Sequence, residues 1–309
     1  MSFTPFLTTD AFSRGAMNGK LLDVLSAVNG AWTKLTEYSK AGSYTWTAPD
    51  LLGDGRSYKI GVLVIGGGGS GGAAVHASSS SVTNTCASGG ASGRAISFEL
   101  IVTPGVAYPI VVGSGGSKVT MEISQLTYKV SKGNNGGSSS FAGKVAEGGG
   151  GGNFAGANFG GNAAPGAEGG QCSRQIYVST DLTEAAPFGG VIEGSTDGVG
   201  SLFGYTPFYC FNPFERKRIL GAGAGAAVRY PGSFSVELPS IDPATNEQAG
   251  GSGSGSYYGS VSAGDGKQSG CGGGAAAVSM KTASVAGLRA VSGAGADGAV
   301  YIYVQGVAS

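Results

Sequence analysis

The sequence has few charged residues. Charged side chains make up 12% of the 309 residues, about half the usual share in globular proteins. Nineteen basic and nineteen acidic residues cancel. No block of basic residues supplies the positive field that binds nucleic acid or an anionic membrane. We therefore expect no nucleic-acid partner.

Histidine and cysteine are also scarce. His76 is the only histidine, and the cysteines at positions 86, 172, 210 and 271 include no CxxC pair. Metal sites and disulfide frameworks show closer, regular spacings, so the sequence predicts no metal and no cofactor, and it favours reduced thiols. Asp54 in a Gly-Asp-Gly turn is a single carboxylate, too few for calcium.

Long apolar runs are absent. No stretch approaches the roughly 18 uninterrupted apolar residues of a membrane-spanning helix, so we expect no membrane insertion. Residues 1–9 lack the basic region and apolar run of a signal peptide. A role outside the cell would therefore need release by another route, such as host lysis.

The residues that catalysis would require are missing as well. Asp181, Glu184, Glu193 and Asp197 are spaced like ordinary loop acids, and no pair among them suggests the flanking carboxylates of a glycosidase. Triad chemistry would depend on His76, which lies in a serine-rich segment that we predict to be an exposed loop. The sequence therefore predicts that the protein is not an enzyme.

Glycine is what the chain has in excess. Its 61 glycines are roughly one residue in five, against an average near 7%. The sequence is nevertheless 41% hydrophobic, with 13 Tyr and 13 Phe, which argues against disorder. The glycine runs lie at residues 66–69, 148–152, 160–161, 169–170, 221–225, 250–255, 272–274 and 293–298.

Three interpretations of these runs compete. A phosphate loop would need a helix directly after residues 66–72, and the alanine- and serine-rich sequel is not an amphipathic helix. Flexible linkers join domains, but no compact domain fits between such closely spaced tracts. The third interpretation is packed polyglycine-II helices, whose close approach only glycine allows.

Strand patterns flank the glycine runs. Residues 44–47 alternate, and residues 58–65 are almost continuously apolar, as in a strand covered on both faces. Residues 95–112 are predicted to form a hairpin around the Thr-Pro-Gly turn at 103–105. Residues 299–304 form a last strand, which we expect to pair with the early ones and to bring the chain ends together.

The first forty residues differ from the rest. From Asp10 to about Tyr38 the pattern predicts a helix, and its apolar positions, spaced four, three, four and three, form a coiled-coil seam. The seam consists of Leu21, Leu25, Val28, Trp32 and Leu35. Two alternatives stay open: an amphipathic helix on its own domain, or an oligomerising segment. The predicted division is residues 1–41 as a helical attachment segment and 42–309 as the glycine-rich domain.

Several motifs occur in a recognisable order. They are an aromatic strand ending at residues 48–49, the strand-to-glycine junction at 62–72, the turn at 102–105, the Gly-Gly-Ser-Ser-Ser-Phe sequence at 136–141 and a closing strand at 295–303. In this order the chain resembles the glycine-rich domain of phage tail-fibre and tail-tip adhesin proteins.

The resemblance implies a mostly-β fold. It would have a short N-terminal α-helix, then a β-sandwich-like base with packed polyglycine-II helices and long loops. It also implies a place on the virion surface after assembly in the host cytoplasm. Receptor contacts would come from residues 74–92, 174–219, 229–248 and 256–268.

An aromatic-rich insert supplies the candidate contacts. Aromatic rings suit saccharide faces and protein pockets, and arginine can bind carboxylates or phosphates. The candidates are Tyr177, Phe203, Tyr205, Phe208, Tyr209, Phe211, Phe214, Arg216, Arg218, Tyr230, Tyr257 and Tyr258. The alternative is that residues 203–214 form a hydrophobic plug or a subunit interface.

The expected function is binding. The leading hypothesis is a tail-fibre or tail-tip adhesin that binds a host-surface saccharide or protein. It would be homotrimeric through residues 21–35 and would bind other virion proteins through residues 1–41. The alternative is a purely architectural virion component, such as a head-fibre, collar or baseplate protein.

Overall fold

A computed structural model describes residues 32–79, 85–155, 251, 253–256 and 259–305, with short stretches between 184 and 248. Every regular element in these residues is a β-strand. In chain order they are β1 Trp32–Tyr38, β2 Gly42–Thr47, β3 Tyr58–Ile65, β4 Ala73–Ser78, β5 Thr85–Ala87, β6 Ala95–Val102, β7 Ala107–Val112, β8 Thr120–Ile123, β9 Tyr128–Ser131, β10 Ser139–Phe141, β11 Lys144–Ala146, β12 Phe154–Ala155, β13 Glu184–Ala185, β14 Val191–Glu193, β15 Ser201–Phe203, β16 Cys210–Asn212, β17 Lys217–Ile219, β18 Ala226–Arg229, β19 Ser233–Val236, β20 Ile241–Asp242, β21 Glu247–Gln248, β22 Ser254–Ser256, β23 Val261–Ser262, β24 Ala276–Lys281, β25 Leu288–Val291 and β26 Ala299–Gln305.

The predicted fold class is wrong in its helix. Residues 32–38, the end of the predicted helix, form β1 and pair antiparallel with β26. The pairing register shifts between Lys34 and Thr36, and such a bulge breaks the two-residue alternation of a strand. The apolar spacing of three residues therefore resembled a helical seam. Residues 10–31 lie outside the described residues, and the mostly-β part of the prediction holds.

Two sheets form what we call the base. One has the order β1-β26-β3-β6-β13 and the other β11-β10-β7-β2. Between them lies a core of large side chains, including Trp46, Ile60, Phe141 and Ile302. The predicted pairing of the last strand with early strands is confirmed, because β26 lies between β1 and β3. Trp32 pairs with Gln305 at the outer end of this sheet.

The hairpin predicted over residues 95–112 is wrong. Both strands form, but β6 pairs with β3, whereas β7 pairs with β2 and β10. The turn at residues 103–106 therefore crosses from one sheet to the other. Local turn chemistry marks where the chain reverses, but tertiary packing decides which strands become neighbours.

The glycine-rich segment 66–72 follows β3, is fully buried, and forms no ladder with one partner. Its N–H groups instead turn to three neighbours with a period of three residues, as in a helix with three residues per turn. Gly66, Gly69 and Gly72 donate to residues 88–94, Gly67 and Ser70 to residues 134–137, and Gly68 and Gly71 to residues 293–296.

Three further segments donate back to the carbonyl oxygens of residues 66–72. They are residues 149–152, which bond to Gly67 and Ser70, residues 273–276, which bond to Gly69 and Gly72, and Gly116, which bonds to Gly68. The segment thus has six hydrogen-bonded neighbours. We call residues 66–72 and these six segments the array. The glycine runs in it are an ordered part of the fold.

Glycine is required in the array because backbones touch there. A Cβ on Gly66, Gly69 or Gly72 would overlap the carbonyl oxygens of residues 147, 150 and 153 in turn. Ser70 is the exception, and its hydroxyl accepts a hydrogen bond from the Asn134 N–H at 2.8 Å. The array therefore packs main chain against main chain, with room for a side chain at one central position.

Two smaller sheets form what we call the cap, at the far end of the array from the base. Their orders are β22-β24-β4-β9 and β23-β25-β8, and alanine and valine fill much of their shared core. Array segments connect the two ends: β3 continues through residues 66–72 into β4, and β25 returns through residues 292–298 into β26. Base, array and cap form one continuous framework.

Candidate binding surfaces

The framework has two different ends. At the base end β1 begins at Trp32 and β26 ends at Gln305, which pair with each other. At the cap end lie the turns at residues 124–127 and 282–287. The long segment 156–250, which we call the insert, leaves after β12 and rejoins beside the array, where the Gly251 N–H donates to Gly272. The start of β1 and the turns of the cap therefore lie at opposite ends of the molecule.

Described parts of the insert lie against both ends of the framework. Strand β18 pairs with β5 beside the cap. Strand β13 pairs with β6 of the base, and Phe214 is buried among Leu63, Tyr303 and other residues on the outer face of the same sheet. The described parts of the insert therefore contact the side of the base as well as the region beside the cap.

Of the predicted contact residues, Phe214 is the one whose side chain the structure describes. It is 8% exposed and packs on this chain's own base, as expected of a plug. Phe203, Phe211 and Arg218 lie in strands β15, β16 and β17. The remaining candidates fall outside the described residues: Tyr177, Tyr205, Phe208, Tyr209, Arg216, Tyr230, Tyr257 and Tyr258.

The predicted oligomerisation seam is only partly described. Leu21, Leu25 and Val28 lie outside the described residues. Trp32 and Leu35 belong to strand β1, so their place in a helical seam is wrong. Leu35 packs on the core of the base, and Trp32 contacts Phe214 edge to face at 5.0 Å between ring centroids. Their role in oligomerisation stays a prediction.

The prediction of receptor-contact loops at residues 74–92 and 256–268 is wrong in part. Residues 74–77 belong to β4 and are buried, residues 88–92 belong to the array, and Ala263 lies in the cap core. Alanine makes up half of strand β4, and the strand is buried on both faces. It therefore shows no alternating pattern that would have revealed a strand in the sequence.

His76 was predicted to be exposed in a loop, and this is also wrong. It lies in β4, is 3% exposed, and its ring meets Tyr128 edge to face at 5.6 Å. Burial lowers the pKa of His76 below its usual 6.5, because a low-dielectric surrounding disfavours the charged form. His76 is therefore a neutral residue of the cap interior near pH 7.

Two tyrosines of the base are also perturbed. Burial raises the pKa of Tyr58 to about 12, and its hydroxyl donates a hydrogen bond to the Pro49 carbonyl at 2.8 Å. Burial also raises the pKa of Tyr303. Both hydroxyls stay protonated at neutral pH, which suits hydrogen-bond donors in a structural interior.

Asp297 joins the array to the base. Its carboxylate accepts hydrogen bonds from the Gly115 N–H at 2.8 Å and the Ala41 N–H at 3.0 Å. Among the described residues no group of three or more His, Cys, Asp or Glu could hold a metal ion. In the same part of the chain no helix is long and apolar enough to cross a membrane.

Sequence comparison gives the family. No curated protein matches the chain significantly. Residues 38–305 match the family model described as the glycine-rich domain. This range includes every base strand except β1, all segments of the array, and both sheets of the cap. The chain therefore belongs to the glycine-rich domain family.

Proposed function

We propose that this chain is a phage virion protein, a tail-fibre or tail-tip adhesin that binds a host-surface receptor. The polarity of the framework carries the proposal. The chain enters at the base end, whereas the turns at 124–127 and 282–287 lie at the cap end. The seven residues 66–72 of the array span about 20 Å at the rise of a threefold extended helix. Such a framework suits a binding surface held away from its mount.

The base end suits attachment to other virion proteins. Residues 1–41 would provide that attachment and the assembly of a homotrimer. Supporting this, β1 begins at the end of the base farthest from the cap, where Trp32 pairs with Gln305. The assembled protein would lie on the virion surface, after folding in the host cytoplasm, and would have no enzymatic activity.

The cap end suits receptor contact. The insert leaves the framework there after β12, and Tyr257 and Tyr258 lie in the chain between cap strands β22 and β23. Aromatic side chains on a rigid support give much contact area for little loss of entropy. A host-surface saccharide or protein is the class of receptor that fits these residues.

A purely architectural role is the second candidate, and one observation favours it. Phe214 packs against this chain's own base sheet, so at least one aromatic residue of the insert has a structural role. In that role the protein would be a head-fibre, collar or baseplate component, and the cap would contact no receptor.

Binding to whole cells with one end blocked separates these roles. A streptavidin-binding peptide is inserted before Gly287 in a cap turn or before Gly105 in a base turn. Both glycines have positive φ, and a Cβ added to either would meet no atom within 4 Å, so the two sites are matched in backbone conformation and in the space around them. We expect the labelled full chain to bind a subset of bacterial strains, and streptavidin to abolish binding only with the cap insertion.

Two results would contradict receptor binding at the cap. Blocking by the base insertion alone would place the receptor surface at the wrong end. Failure of the untagged chain to bind any strain of a broad panel, together with its presence in purified virions, would favour the architectural role.

A further inference from the structure

Gly61 interrupts the most apolar strand of the base. Strand β3 alternates between the core and the outer face of its sheet, and Gly61 lies on the outer face, next to Leu63. A Cβ on Gly61 would lie 2.5 Å from Cε1 of Phe214, and the three nearest atoms all belong to that ring. A glycine within a strand often marks the close approach of another group. Here it leaves a slot for Phe214.

Three aromatic side chains meet at this slot. Phe214 stacks on Tyr303 with ring centroids 4.9 Å apart and an angle of 28°. It meets Trp32 at 5.0 Å and 70°. Aromatic pairs prefer such offset and edge-to-face geometries. The slot is thus formed by β3, β26 and β1 together.

Polar groups fix the turn that carries Phe214. The Asn212 side-chain oxygen accepts hydrogen bonds from the N–H of Phe214 at 3.0 Å and of Glu215 at 3.4 Å. The Asn212 amide donates to the Tyr303 hydroxyl at 3.0 Å, and that hydroxyl donates to Glu215 Oε1 at 2.9 Å. Asn212 is 2% exposed, and these hydrogen bonds give both its side-chain oxygen and its side-chain nitrogen a partner within the contact.

We infer that residues 212–215, which we call the Phe214 anchor, hold the insert on the outer face of the base. Trp32 extends the contact to β1, the strand that follows residues 1–31. The anchor thereby connects the segment that enters the base with the segment that leaves the cap. It acts as a positioning site for the insert, and it does so in either of the two roles proposed above.

The sequence next to the anchor supplies a reporter. Arg216, Lys217 and Arg218 follow it directly and are sites for trypsin. When local opening is fast relative to cleavage, the rate of proteolysis follows the population of the opened form. In the full chain, we expect Phe214→Ala to raise cleavage after residues 216–218 by at least about tenfold. Cleavage after Lys59 in the base and Arg289 in the cap should stay as in wild type.

Gly61→Ala tests the slot from the other side. The three atoms nearest the added methyl group all belong to the Phe214 ring, so Gly61→Ala should displace the anchor and accelerate the same cleavage while the base core stays intact. Phe214→Leu should give an intermediate rate. Ile101→Ala is the matched control, because Ile101 is 69% exposed on the same sheet and pairs with Lys59.

Two outcomes would overturn the inference. Unchanged cleavage after residues 216–218 in both Phe214→Ala and Gly61→Ala would show that other contacts hold the insert. Equal acceleration after Lys59 and Arg289 would show that Phe214 is a general core residue of the framework. Fragment masses over a time course of digestion distinguish these results.

Discussion

The base and the array are both tightly packed, but the base packs side chains whereas the array packs main chain. The base buries large side chains between two sheets, including Phe141 and Ile60 at 0% exposure. The array buries glycine, so side-chain burial contributes little there. Its cohesion comes from hydrogen bonds by which residues 66–72, taken together, contact six neighbouring segments in rotation. Two regions of one chain thus differ in which part of the residue specifies the fold.

This difference sets how each region responds to mutation. A side-chain core can relax around a smaller residue, and the cost depends on the cavity left behind. Within residues 66–72 of the array, Ser70 carries the one side chain, and a Cβ added to any of the glycines would overlap a carbonyl oxygen of a neighbouring segment. Ordering glycine also costs more backbone entropy than ordering other residues. We therefore expect graded losses in the base and all-or-none losses in the array.

Gly69→Ala should have the largest effect. The new methyl group would overlap the carbonyl of Gly150 in the middle of the array. Moving these two segments of the array apart would break hydrogen bonds to several neighbouring segments at once. We expect a loss of more than about 4 kcal/mol in unfolding free energy, or no folded protein. Urea unfolding followed by circular dichroism measures it.

Gly105→Ala is the matched control for that substitution. Gly105 has φ +82 and open space around its Cβ position, so alanine costs only the backbone strain of about 1–2 kcal/mol. If the Gly69 and Gly105 variants lost similar stability, close packing in the array would not be what requires glycine.

Phe141→Ala should have the next largest effect and tests the base. Phe141 is fully buried and its ring stacks on Tyr108 at 5.9 Å. Truncating a buried phenylalanine costs about 3–5 kcal/mol. The variant should still fold with a lower urea midpoint, and Phe141→Leu should recover part of the loss. A Phe141→Ala chain that cannot fold at all would erase the contrast with the array.

The sequence predicted the base better than the array. Continuous apolar runs such as residues 58–65 and 299–304 specify buried strands, and both form as predicted. Glycine runs indicate close packing, but they carry no side chains that could select neighbours. Which run lies beside which is decided by the strands at the two ends, for example β3 and β26 for residues 66–72 and 293–296. Those pairings depend on the whole fold.

The candidate site was less predictable. Aromatic residues of the insert were visible as a cluster, but nothing in their spacing indicated that Phe214 packs on the base. One signal was available: Gly61 lies within an otherwise apolar strand, which suggests a close approach by another group. The helix predicted through Trp32 failed because a single bulge in β1 imitates helical spacing over a few residues.

The smallest expected effect separates the base from the cap by pH. Burial lowers the pKa of His76 in the cap below 6.5, so the unfolded chain binds this proton more readily than the folded one. The stability that the neutral imidazole contributes is present above pH 6.5 and is lost as the pH falls below it. Burial raises the pKa of Tyr58 in the base to about 12 from 10.0. That contribution is complete below pH 10 and is lost as the pH rises from 10 towards 12.

Hydrogen exchange should therefore show acid loosening of β4 and β24 before the base strands, and alkaline loosening of β3 before the cap strands. In His76→Gln, which cannot take up the proton, the acid loosening of β4 and β24 should decrease, while the alkaline loosening of β3 should stay as in wild type. Equal loosening of base and cap at both extremes would mean that the framework opens as one unit, and the contrast between its regions would then concern composition and not stability.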